Sequence, residues 1–139
     1  MSLYVLDTDI VVLYRAGNAA VIARILCTPP DEMATTVITV EEQLSGWYTM
    51  VRQAKGSTPL AHAYQRLADS VKTLSQFRIL SFTEPAIDQF HQLRKLKLGV
   101  KHTDLRIAAI ALTHGGVLVT RNIRDFVSIP NLIIQDWSK

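Results

Sequence analysis

Four carboxylates, Asp7, Glu42, Asp104 and Asp125, are spread through 139 residues, yet each falls where a strand pattern ends or a helix pattern begins. Asp7 directly follows the apolar run of residues 3–6, and Asp125 lies a few residues past the apolar stretch at 117–120. Glu42 and Asp104 stand in the first turns of helical patterns. Asp104 is the most informative. It heads Leu-Arg-Ile-Ala-Ala-Ile-Ala-Leu, apolar nearly all round, and shares the i, i+3, i+4, i+7 face of Ile107, Ala108 and Ala111. A carboxylate at the head of a buried face needs a partner, because an unpaired buried charge is costly. Singly, each acid has a structural role open to it. Glu42 could complete a capping box with Thr39, and Asp104 could sit favourably at a helix N-terminus. Asp7 could open a turn, and Asp125 could be loop surface. Together at one edge of one sheet they would repel one another, and a divalent cation resolves that repulsion. Oxygen ligands without thiolate or a His pair favour Mg2+ or Mn2+ over zinc. The chemistry is then metal-assisted hydrolysis: an ion lowers the pKa of a bound water, the acids hold the ion, and Asp104 could accept the water's proton. No Ser/His/Asp set stands out. His62, His91, His102 and His114 are scattered, and His102, the only one close to a candidate acid, reads as a solvated loop residue.

The elements that must position these acids are read from periodicity and punctuation. Residues 3–6 form a short buried strand, followed by a helical region from Ile10 to Leu26 that stops before Pro29 and Pro30. Thr35–Thr39 reads as a second strand, with Thr39 capping a helix that runs to Gln53. After the loop Lys55–Pro59, Pro59 opens a long helix to Ser75, and Phe77–Phe82 is a third strand. A helix over Pro85–Leu98 stops at Gly99, and Thr103 caps a helix over Asp104–His114. Val117–Thr120 and Leu132–Asp136 complete the set. Strands alternating with helices imply an α/β fold, three layers α/β/α, with a mainly parallel sheet of roughly five strands in one domain over 1–139. In such sheets sites lie outside the carboxyl ends of the strands, where the four acids fall.

Composition narrows the class. An apolar fraction of 48% and a charged fraction of 19% belong to a compact globular chain. No stretch approaches the ~20 apolar residues of a membrane span, and Asp7 and Asp9 break the first apolar run in a way a signal peptide would not. Cys27, the only cysteine, reads as a buried small hydrophobe in a reduced cytoplasm. The net charge of +3 is uneven: residues 1–50 carry two basic groups against six acids, residues 51–100 eight against three. A basic protein with its acids concentrated suits a polyanion met through a metal.

Four blocks in order carry a resemblance: Leu6-Asp7-Thr-Asp9-Ile, Thr39-Val-Glu-Glu42-Gln-Leu-Ser-Gly46, Asp104-Leu-Arg-Ile-Ala-Ala109, and Val119-Thr-Arg-Asn122-Ile-Arg-Asp125-Phe. Across essentially the whole chain they resemble PIN-domain ribonucleases, and among these the VapC-type toxins of bacterial toxin–antitoxin pairs. The resemblance implies a PIN-like fold, Mg2+- or Mn2+-dependent cleavage of RNA, frequent homodimerisation and inhibition by a VapB-type antitoxin. By position it makes Asp7, Glu42, Asp104 and Asp125 the catalytic, metal-holding quartet, with Asn122, Thr8 and Asp9 as supporting residues. Asp9 departs from the family, which more often has Asn there. Glu41 adjoins Glu42, but at 100° per residue only one of the two can easily face the cluster.

Around the acids, Lys101, Arg121 and Arg124 are candidate RNA contacts, the two arginines because they flank Asn122. Arg94, Lys95 and Lys97 lead up to Asp104 and could hold successive phosphates of a single strand, but read more simply as a solvated helix face. Trp47, Tyr48 and Met50 read first as core and alternatively as an antitoxin groove, and Trp137 as packing. Two other functions compete. Asp7-Thr-Asp9 after a strand also resembles a haloacid-dehalogenase-type phosphatase, with Asp7 as nucleophile and Asp9 as general acid. A catalytically silent PIN-like binding module is the third reading.

Overall fold

Short apolar runs separated by helices give, in the computed structural model, which describes residues 2–139, a five-stranded all-parallel sheet ordered β3-β2-β1-β4-β5. The strands are β1 (Tyr4–Leu6), β2 (Met33–Thr36), β3 (Arg78–Leu80), β4 (Val117–Val119) and β5 (Ile133–Gln135). The helices are α1 (Thr8–Arg15), α2 (Ala19–Cys27), α3 (Val37–Gln53), α4 (Ser57–Leu74), α5 (Glu84–Lys95), α6 (His102–Thr113) and α7 (Ile123–Phe126), and Pro30–Glu32 adds one 3-10 turn.

The period of two along each strand divides the core. Val5, Ala34, Leu80 and Leu118 pack with α5 and α6 through Phe90, Leu93, Leu105, Ile107 and Ile110. Leu6, Met33 and Val119 face the other way, onto Ile10 and Val11 of α1, Val21 and Ile25 of α2, Leu74 of α4, and Trp137. Trp137 is buried, as its packing role requires. Ile107 and Ile110 are fully buried, each stabilising the fold by about 1.5–3 kcal/mol. A Cβ on Gly116 would lie 3.0 Å from Val5 Cγ2 and 3.1 Å from the Leu3 carbonyl, so the turn into β4 passes tightly against β1. Strand β1 is central, and the chain leaves it in both directions. The β1/β4 junction is therefore the switch point at which such sheets place their sites.

Several boundaries differ from those expected. The helix over Ile10–Leu26 is two helices bent by 103°. Gly17 sits at φ +91°, open to glycine at little cost, and Asn18 caps α2 by accepting from Val21 N. Strand β2 ends at Thr36 because Thr36, not Thr39, is the cap: its Oγ1 accepts from Thr39 N at 3.1 Å. Thr39 is thus inside α3, and Glu42 is too far along to close a capping box. Helix α5 stops at Lys95, where Lys97 turns left-handed at φ 51°. Helix α6 starts at His102 with Lys101 at the cap position and no side-chain cap, so Thr103 lies within the helix. Helix α7 stands where only a loop was expected. Cys27 is exposed at the end of α2 rather than buried. Among the described residues, no single helix is long and apolar enough to cross a membrane.

Candidate active site

The acids are delivered by four elements. Asp7 leaves β1 as the N-cap of α1 and is only 6% exposed. Its amide donates to the Val119 carbonyl at 2.9 Å, which locks the end of β1 to the end of β4. Its Oδ1 accepts from Thr8 N and its Oδ2 from Thr120 Oγ1, both at 2.8 Å. Asp9, in the first turn of α1, is half-buried. Its Oδ2 accepts from Arg121 N at 3.1 Å, tying α1 to the loop after β4. Glu42 is exposed on α3, where its Oε1 accepts from Thr8 Oγ1 at 2.7 Å. Thr8 Oγ1 also lies 3.0 Å from Thr39 Oγ1, so this hydroxyl joins α1 to α3. Glu41, also exposed, has no such contact to the cluster. Asp104 is half-buried in the first turn of α6. Asp125, half-buried in α7, accepts from Asn122 Nδ2.

The electrostatics show that these carboxylates feel one another. Burial, then repulsion from Asp9, raises the Asp7 pKa to about 7 against the opposing Thr120 and Thr8 hydrogen bonds, with Asp104 adding to the rise. Asp104 is also raised, first by burial, then by Asp125 and Glu42, with Lys101 opposing and Asp9 contributing. Asp9 is raised mainly by burial, despite its hydrogen bonds and Arg121. The fold therefore gathers Asp7, Asp9, Glu42, Asp104 and Asp125 into one field. Lys101, Arg124, Asp104 and Asp125 line a common cleft. Arg121 and Arg124 are exposed, and Arg121 serves Asp9 through its backbone.

Whether these groups fit a divalent cation can be judged from their unmet demands. Among the described residues, Asp9 Oδ1 is the buried side-chain oxygen that lacks a hydrogen-bond partner, in a set made of hard oxygen donors. No three His, Cys, Asp or Glu side chains among those residues already converge to hold an ion. Each carboxylate except that of Asp104 is instead held on a protein donor. The residue types and their mutual repulsion fit a cation.

Two site residues escape a reading of the sequence. Thr120 is fully buried, and its Oγ1 donates to Asp7 and accepts from Asn122 N at 3.0 Å. Its signal was a polar residue closing the apolar run Val-Leu-Val. Thr39 looked like a cap, but three threonines at 35, 36 and 39 cannot all cap one helix. Nor are Tyr48 and Met50 core: they are 48% and 46% exposed. Trp47 is half-buried in a groove between α1, α3 and α4 that reaches Glu42, with Arg66 over its ring at 5.2 Å and Arg15 at 6.0 Å.

A family model for the PIN domain matches residues 4–132. Ribonuclease VapC2 of Rickettsia felis is 36% identical over 70 residues, 48% of this chain and 52% of that relative, so in this match the chain spans about half its relative's length. Ribonuclease VapC1 of Haemophilus influenzae is 27% identical over 141 aligned positions, 99% of each chain. A crystal structure of DNA-bound VapBC from Salmonella typhimurium is similar with a TM-score of 0.81 at 25% identity, over 99% of each chain.

Proposed function

The chain belongs to the PIN domain family, and from that premise we propose that it is a metal-dependent endoribonuclease cleaving single-stranded RNA, the toxin of a pair neutralised by a VapB-type antitoxin. The observation that carries this reading is the gathering of five carboxylates at the β1/β4 switch point, with Asp7 raised to about 7 and Asp9 Oδ1 unpartnered. Ribonuclease VapC relatives that match the chain support the choice of RNA.

Asp7, Asp104 and Asp125 would hold Mg2+ or Mn2+, with Glu42 completing the set and Asp9 offering its free oxygen. When bound, the cation supplies the positive charge that makes a water acidic at neutral pH and screens charge on the phosphate. The chain's own residues do the rest. Thr8 and Thr120 fix Glu42 and Asp7 in place. Asn122 orients Asp125. Asp104, which lacks a hydrogen-bonded partner of its own, would take the proton of the attacking water. Lys101 and Arg124, on the lip of the cleft, would hold the substrate's phosphate.

The Trp47 groove supports a protein partner. It combines an aromatic ring, exposed Met50 and the Arg66 guanidinium, with Arg15 also over the ring, the composition expected of an interface core. One nuclease domain, a homodimer and a cytoplasmic setting complete the proposal. The decisive assay gives the purified protein single-stranded RNA and a phosphomonoester, each with Mg2+ or Mn2+ and with chelator. RNA cleavage that needs the metal is expected. Phosphomonoester hydrolysis alone would restore the phosphatase reading of Asp7 and Asp9, and inertness towards both would leave a binding module.

A further inference from the structure

Away from the acids, cations accumulate along the seam between α5 and α6. From Gln89 to Thr103 the chain has Arg94, Lys95, Lys97 and Lys101 and no acid, and Arg106 follows on α6. The ion pair found among the described residues is Arg15–Asp69, so none of these cations has a carboxylate within 4.0 Å. The acids on the same helix, Glu84 and Asp88, belong to its first half. At the centre of the seam lies Phe90, 5% exposed. Arg106 stands over its ring at 5.3 Å from α6, and Arg94 at 5.7 Å from α5. His91 and His102, both exposed, lie 5.5 and 6.0 Å from the same ring.

We propose that this seam is a track for the RNA backbone leading to the acidic cleft, with Arg94 and Arg106 as its phosphate clamps; the proposal rests on the nuclease reading above. A guanidinium stacked on an aromatic ring keeps its N–H groups free, and less freedom is lost when it grips a phosphate. Two such groups from two helices on one ring are cations fixed in place, unlike the tips of solvated side chains. Arg106 lies two residues beyond Asp104, about 200° round the helix, so it stands on the opposite face of α6, and the seam meets the cleft around the start of that helix. Lys101 connects the two, lining the cleft and standing at the start of α6. Beyond it, His91, Arg94 and Lys95 line a shallow hollow. The exposed imidazoles offer flat faces on which unpaired bases can stack. An acidic protein segment fits less well. Peptides need apolar pockets for anchorage, and the aromatic ring of this seam is already covered, whereas the Trp47 groove still offers one.

The test measures binding of a labelled single-stranded RNA to the whole protein in chelator, over a salt series, by fluorescence anisotropy. Each lost phosphate contact lowers the slope of log K against log salt by about 0.7, so R94Q/R106Q should lower it by about 1.4 and weaken binding on the order of tenfold at low salt. With Mg2+ or Mn2+, KM should rise by a similar factor while kcat changes little. R94K/R106K, which keeps the charge, should keep the slope. R94Q alone, at an exposed position, should show half the change should the double variant fold poorly. An unchanged slope and KM, or a Lys variant as weak as the Gln variant, overturns the track. So does RNA binding that stays intact while binding of poly-glutamate is lost. Failure of the parent protein to cleave any RNA would instead overturn the nuclease reading.

Discussion

Asp7 and Asp136 occupy equivalent places, each one residue beyond the carboxyl end of a parallel strand, and each accepts two hydrogen bonds. Asp7 accepts from Thr8 N and Thr120 Oγ1, Asp136 from Ser138 N at 2.8 Å and Ser138 Oγ at 2.6 Å. Yet their acidities part. Burial and the neighbouring acids raise Asp7 to about 7. At Asp136 burial also pushes upward, but the Ser138 hydrogen bonds, Lys139 and Arg121 outweigh it and the pKa falls. A strand end supplies a position and donors. The acidity rises where the carboxylate is buried and other carboxylates are brought to the same place, which happens at the switch point and not at the sheet's edge.

The comparison breaks first on activity. Asp7→Asn should lower RNA cleavage by about a hundredfold or more, while Asp136→Asn should leave it at the parent level. Steady-state kinetics on both variants decides the matter, and a strong loss at Asp136 would end the distinction.

A smaller effect separates the two acids in their pH dependence. In chelator, folded Asp7 holds its proton up to about pH 7, whereas the unfolded chain releases it near 3.8. The folded state therefore binds more protons between those values, and stability falls as pH rises through that window, by about 1.4 kcal/mol per unit of raised pKa. Asp136 has the opposite sign: its contribution is present at neutral pH and is lost as pH falls through its depressed pKa. Being accessible, it should be worth less than about 1 kcal/mol. Denaturant melts of the parent and of Asp7→Asn across this range should show a negative slope that the variant flattens.

The smallest effect is expected at Asp104. Asp104→Asn removes one charge from the cluster and should relieve about 1 kcal/mol of repulsion without metal. Its melting temperature in chelator should match or exceed that of the parent. Millimolar Mg2+ or Mn2+ should raise the parent's melting temperature clearly and the variant's little. Strong destabilisation of the metal-free variant would make Asp104 a structural residue of α6 and weaken the contrast.

Much of this was legible in the residues. Alternating strands and helices sufficed for the parallel sheet, and the carboxyl-end rule placed Asp7, Glu42, Asp104 and Asp125 at one edge. What escaped depended on contacts between distant segments. The bend at Gly17–Asn18 is hidden because the apolar spacing of 10–26 continues through it. Thr36 and Thr39 are equally good caps by type, and only the ladder with β1 and β3 decides where β2 stops. Thr120 is an ordinary strand-end residue until Asp7 meets it from 113 positions away. Tyr48 and Met50 look like core because apolarity says nothing about which face of α3 has a covering layer.

The pairing of β1 with β4 also sets an order of events during synthesis. Strands β1, β2 and β3 adjoin one another and can form half a sheet as soon as residue 80 is available. The bond from Asp7 N to the Val119 carbonyl, and with it the site, waits for residues 117–120. A chain still growing on the ribosome thus carries Asp7, Asp9 and Glu42 long before the strand that assembles them, Asp104 joins them shortly ahead of it, and any hydrolytic capacity waits for β4.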